Sequence, residues 1–159
     1  MSAGRQSGFT LAGALILIGV LGAGMAAYGE LASHAAQREK ERELLFIGNQ
    51  FRQAIGADYE RSPGGAKRLP QKLDDLLEDK RYPMPQRYLR RIYADPMTGQ
   101  PQWGVIHGQD GGIMGVHSLS TAAPIKTGGF FGRDATLAQT GRYSDWHFGY
   151  VAPIATAAR

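Results

Sequence analysis

The amino-acid sequence predicts an α+β protein: a long N-terminal helix, transmembrane in its first part and a spine beyond it, packed on a small antiparallel β-sheet head. Three observations lead there. Residues 9–29 hold no Asp, Glu, Lys, Arg or His. From Leu44 to Tyr59 apolar residues recur at helical spacing on one face. Beyond residue 100, runs of strand-forming residues flank Asp110-Gly111, a hairpin signal. With 159 residues in all, there is room for one small domain besides the first segment. The absence of cysteine excludes a disulfide framework and any cysteine-based metal or redox site. The net charge of +4 is spread through the chain, so the basic balance alone is no nucleic-acid signature.

The uncharged run comes first. As a helix it is ~31 Å long, enough to cross a hydrocarbon core. Its strongly hydrophobic members are Phe9, Leu11, Leu15, Ile16, Leu17, Ile18, Val20 and Leu21. Together they are worth roughly −2 to −5 kcal/mol of insertion free energy. Five Gly and five Ala dilute them, which makes the span marginal and suits close packing against identical helices. Arg5 in front of the run keeps the start of the chain cytoplasmic and sends the long C-terminal part across. An ordinary secretory signal is cut after its apolar run. Here the small residue, Gly8, lies before the run, and cleavage there would leave the apolar segment as the new N-terminus.

A short basic leader ending in Gly8, then Phe9-Thr10-Leu11 opening a long apolar helix, resembles the class III signal of type IV pilins and type II secretion pseudopilins. The resemblance implies cleavage after Gly8 by a prepilin peptidase and N-methylation of Phe9. It also implies an assembly helix carried by Phe9, Leu11, Gly13, Leu15, Ile16, Leu17, Ile18, Val20 and Leu21. One position departs from the family, which usually has Glu at the fifth mature residue; counted from Phe9, that residue is Gly13. A Glu among apolar helices is costly unless paired. Its absence removes that cost together with a device for fixing register, and in the family accompanies minor subunits at the filament tip.

From Glu30 to Tyr59 the helical pattern continues without proline. Gln37 to Glu43 is a balanced charge run that reads as a solvated helix segment. Leu44, Ile47, Phe51, Ile55 and Tyr59 then form an apolar face, and Pro63-Gly64-Gly65 ends the helix. Gly48 and Gly56 are either close-packing points or simply tolerated. Residues 66–100 read as a connector with short helical pieces at Leu73 to Asp79 and Arg87 to Tyr93, closed by the turn Asp95-Pro96-Met97-Thr98-Gly99. The order Leu69-Pro70, Leu73 to Leu76, Tyr88 to Ile92, Asp95-Pro96 and Trp103 resembles the head of the major, G-type pseudopilin of type II secretion. With the N-terminal motif, the similarity covers residues 1 to roughly 119.

Strands are expected over Gln102 to His107 and Ile113 to Leu119, with a final one through Trp146, Phe148 and Tyr150. Residues 120–142 read as a long loop in which Phe130-Phe131 tucks into the head. Ala152 to Arg159 read as a frayed end. Asp110, His117 and Ser118 contain the residue types of a nucleophilic triad, but Ser118 lacks a Gly-x-Ser-x-Gly setting and adjacent strand positions face opposite ways. His107, His117 and His147 lack metal-ligand spacing. The G-type pseudopilins share a calcium loop near the C-terminus. Calcium wants six to eight oxygen ligands, and this chain offers only Asp134 and Asp145 there. No cofactor is therefore expected; calcium is possible but unsupported by an acidic cluster. Asp95 and Asp110 read as turn formers.

The resulting organisation is a leader over 1–8, a transmembrane and filament-core helix over 9–29, its amphipathic continuation over 30–62 and a globular head over 63–159. The resemblance implies a non-enzymatic, structural pseudopilin of a type II secretion-like periplasmic filament for protein export. It implies a single-pass bacterial inner-membrane location, N-terminus cytoplasmic and C-terminal domain periplasmic. The implied partners are other copies, minor pseudopilins, the prepilin peptidase and an inner-membrane assembly platform, with exported proteins as further candidates. The alternative is a minor type IV pilin for adhesion or DNA binding through Arg61, Lys67, Arg68, Lys72, Lys80, Arg81, Arg87, Arg90 and Arg91. Asp74, Asp75, Glu78 and Asp79 lie among these and repel phosphate, which argues against nucleic acid.

Overall fold

The computed structural model describes residues 6–151; the side chains of residues 6–10, 23, 24, 26, 27, 29–31 and 65 fall outside that description. The expectations for residues 1–5 and for the C-terminal 152–159 lie outside the described residues. One α-helix, α1, runs Gln6–Glu60, 55 residues without a break. No proline falls in this stretch, and its end coincides with Pro63-Gly64-Gly65, where Gly64 takes φ +77°. Two compact units divide the chain, residues 1–39 and 40–159, so that α1 contributes Lys40–Glu60 to the second.

The transmembrane part of the expected fold is overturned. Among the described residues no helix is long and apolar enough to cross a membrane. The strongly apolar side chains described there run from Leu11 to Leu21, interrupted by Ala12, Gly13, Ala14 and Gly19. That stretch covers ~16 Å of helix, about half of a hydrocarbon core. The expected single-pass placement in a bacterial inner membrane, with its cytoplasmic N-terminus and periplasmic C-terminal domain, falls with it.

The second unit holds a three-stranded antiparallel sheet in the order β1-β2-β3: β1 Gly104–His107, β2 Ile113–His117 and β3 Phe148–Gly149. Val105 pairs with Val116, and Val116 with Phe148. The β1–β2 connection is a five-residue loop, 108–112, between the strand ends expected at His107 and Ile113. Asp110 Oδ1 accepts the Gly112 N–H at 3.2 Å, while Gly111 takes φ +78°. A register shift between Ile106 and His107 marks a bulge that absorbs the extra length.

The core forms where the apolar face of α1 meets this sheet. Leu44, Ile47, Phe51 and Ile55 are buried, joined by Trp103, Val116, Trp146 and Phe148. Phe51 and Trp103 lie 5.1 Å apart between ring centroids, and the Trp103 indole N–H donates to Tyr93 O at 2.8 Å. Gly48 and Gly56 are close-packing points: a Cβ on Gly48 would clash with the Phe148 ring, and one on Gly56 would lie 2.7 Å from Tyr150 Cδ2.

Several local expectations differ from the structure. Arg87 to Tyr93 is not helical; after Pro83 and Pro85, the Tyr88 and Leu89 N–H groups both donate to Leu76 O, at 3.0 and 2.8 Å. Leu73–Leu76 forms a single 3₁₀ turn. The final strand is shorter than expected because the Trp146 N–H closes a 3₁₀ turn on Tyr143 O instead of joining the ladder. The long loop contains its own 3₁₀ helix, Gly132–Gln139, seated by the buried Leu137. Phe130 tucks edge-on against Trp146, but Phe131 is 87% exposed.

Candidate assembly surface

The residues expected to carry assembly lie on the first unit. Gly8 and Phe9 fall within α1, and their side chains lie outside the description. Leu11, Leu15, Ile16, Leu17, Ile18, Val20 and Leu21 are all between 59% and 68% exposed. At about 100° per residue, Leu11, Leu15 and Ile18 share one face, Ile16 and Val20 a second, and Leu17 and Leu21 a third. The helix therefore presents apolar side chains on all sides. Gly13 has nothing within 4 Å of where its Cβ would sit, so the position is sterically open in a single chain. Burying a side chain such as leucine is worth about 1.5–3 kcal/mol, and exposed patches of this kind mark interaction sites.

Further along α1, the sequence reading of a solvated charge run is corrected at Glu41, which is buried. Its Oε1 accepts the Ile125 N–H at 2.6 Å, the Lys126 N–H at 3.1 Å and the Tyr143 hydroxyl at 2.8 Å. Arg52 is buried too, donating to Gly149 O at 3.1 Å and to Asp134 Oδ1 at 2.8 Å. At the end of the helix Asp58 is buried beside Arg81, which also grips Asp79. Burial pushes the Asp58 carboxyl up to about 6 against the opposing pull of Arg81, with Asp79 and Asp75 adding to the rise. The Arg81 hydrogen bond holds Asp79 below its ordinary value, and burial followed by Asp79 raises the Tyr88 phenol to about 12.

The sequence reading missed this polar set, although the signal was present. Glu41, Leu44, Gly48, Phe51, Ile55 and Asp58 follow one another at spacings of three and four, so both carboxylates lie in register with the buried stripe.

The residues weighed for catalysis are not brought together. Asp110 serves the Gly112 and Leu69 amides, His117 Nδ1 meets Ser118 O at 2.9 Å, and the Ser118 hydroxyl donates to Asp95 Oδ2 at 2.7 Å. Asp95 is a buried turn former, its other oxygen accepting the Met97 N–H at 2.9 Å. Among the described residues no group of three or more His, Cys, Asp or Glu could hold a metal ion. Of the two acids weighed for calcium, Asp134 is committed to Arg52. Several of the basic residues weighed for phosphate have partners within the chain: Lys67 with Glu60 at 2.8 Å, Arg81 with Asp58 and Asp79, and Arg61 and Arg91 over the rings of Tyr88 and Tyr93.

No protein-family model, curated protein or solved structure matches the chain.

Proposed function

We propose that the protein is a structural subunit of a type II secretion-like filament that serves protein export. The observation that carries this reading is the exposed apolar helix from Leu11 to Leu21, whose side chains face outward on every side. A helix apolar all round is stable in water only when covered, and identical helices packed around it would cover it. The Gly and Ala positions between the large residues would let such helices approach closely. In this reading Gly8 is the processing point, Phe9 the modified N-terminus, and the head supplies contacts at the filament surface. Further copies and the prepilin peptidase are its partners, and the chain carries out no catalysis of its own. The internal pairing of Lys67, Arg81, Arg61 and Arg91 leaves DNA binding the less supported alternative.

The absence of cysteine makes the test direct. Single substitutions Leu15→Cys, Ile16→Cys and Ile18→Cys are oxidised in cells that assemble the protein. Covalent dimers at these positions, and none with Lys80→Cys on the exposed head surface, are expected. Chains that stay monomeric at every helix position would overturn the proposal.

A further inference from the structure

One buried carboxylate oxygen holds an entire loop. From Pro124 to Phe130 no backbone group bonds to another backbone group among the described residues. The Ile125 and Lys126 N–H groups instead both donate to Glu41 Oε1 of α1, which also accepts a hydrogen bond from the Tyr143 hydroxyl. The segment has definite ends. Upstream, Ser120 O and Ala122 O accept the Ser144 and Tyr143 N–H groups at 2.8 and 3.1 Å. Downstream, Phe130 packs on Trp146, and Lys126 Nζ stands 4.5 Å over the Phe130 ring. Beyond the tether, Gly129 and Gly132 take φ of +70° and +58° and can change backbone direction at little cost.

We propose that residues 124–130 form a strap latched to α1 by Glu41, and that the strap opens as a local unit while the sheet stays folded. The physical basis is an imbalance of anchoring. The sheet is held by a ladder and by a continuous core, whereas the described anchors of the strap are two hydrogen bonds to one acceptor and the packing of Phe130 on Trp146. Segments with so few buried contacts open well below the cost of global unfolding. When the strap lifts, Phe130 leaves the face of Trp146, which is fully buried in the latched state. Glu41 thus acts as the catch for an apolar surface on the head.

Amide hydrogen exchange on the full chain tests this, with Glu41→Ala and the acceptor-retaining Glu41→Gln. Glu41→Ala is expected to speed exchange at Ile125 and Lys126 by at least about tenfold, with Val116 of the sheet unchanged. Glu41→Gln is expected to fall between it and the parent. Trypsin cleavage after Lys126 is expected to rise in the same order. Unchanged protection at Ile125 and Lys126 in Glu41→Ala would overturn the proposal. So would a loss that appears equally at Val116 in Glu41→Gln, because the strap would then be part of the global unit.

Discussion

Asp58 and Asp79 sit on either side of Arg81, yet acid acts on them in opposite directions. The folded-state value of Asp58, about 6, lies above its ordinary 3.8, so the folded protein binds this proton more tightly than the unfolded chain. The contribution of Asp58 to stability therefore rises as pH falls from above 6 towards 3.8, by at most about 3 kcal/mol. Asp79 is held below its ordinary value, so its contribution is present above 3.8 and is lost as pH falls through its folded value. Urea denaturation of the parent and of Asp58→Asn between pH 7 and pH 4 reads this out. The gap between the two is expected to change across pH 6 to 4 and to level off below; a constant gap would show that Asp58 is not the group responsible. Gly48 gives a second prediction at this scale. Gly48→Ala must displace Phe148 from a packed core and should cost about 1–3 kcal/mol in the same assay. An unchanged midpoint would mean that the ring relocates freely.

Among the elements, α1 was the most legible in the sequence and its polar positions the least. Its apolar stripe and its stop at Pro63 follow from spacing and backbone chemistry. The spacing shows Glu41 and Asp58 in register with the stripe, but the partners that hold them and Arg52 lie 23 to 102 residues away in the chain, beyond what spacing alone reveals. The hairpin and its loop over 108–112 were legible from Asp110-Gly111 and the flanking strand patterns, but the bulge at Ile106 and His107 was not, since it depends on the facing strand. The short β3 was misread because alternation at Trp146, Phe148 and Tyr150 cannot reveal that the Trp146 N–H is taken by Tyr143. Membrane crossing was misread from the absence of charge; a lack of charged residues is not the same as sufficient apolar length. The stripe itself yields a firm expectation. Phe51→Ala, which opens a cavity between Trp103 and Tyr93, should destabilise the second unit by about 3–5 kcal/mol. A loss below about 1 kcal/mol in thermal denaturation would contradict that packing.

For the whole molecule, the two units differ in burial. Residues 40–159 bury their own core around Phe51, Trp103 and Phe148, whereas the described apolar side chains from Leu11 to Leu21 remain exposed. This division underlies the filament reading, and it separates assembly from folding. Ile16→Glu should abolish covalent capture of neighbouring copies through Leu15→Cys while leaving the denaturation midpoint of the second unit unchanged. A matching loss of head stability would show that the exposed helix serves folding rather than assembly. The proposed processing at Gly8 belongs to this scale too: Gly8 lies inside α1, so cleavage there would require that turn to unwind. Glycine lowers the cost of unwinding there by about 1 kcal/mol relative to alanine.

The intact mass of the protein isolated from cells with and without a prepilin peptidase tests the proposed filament role. A filament subunit should lose residues 1–8 and gain one methyl group on Phe9 only when the peptidase is present. A chain of unprocessed mass in both strains would contradict it and would leave the helix without a route into a filament.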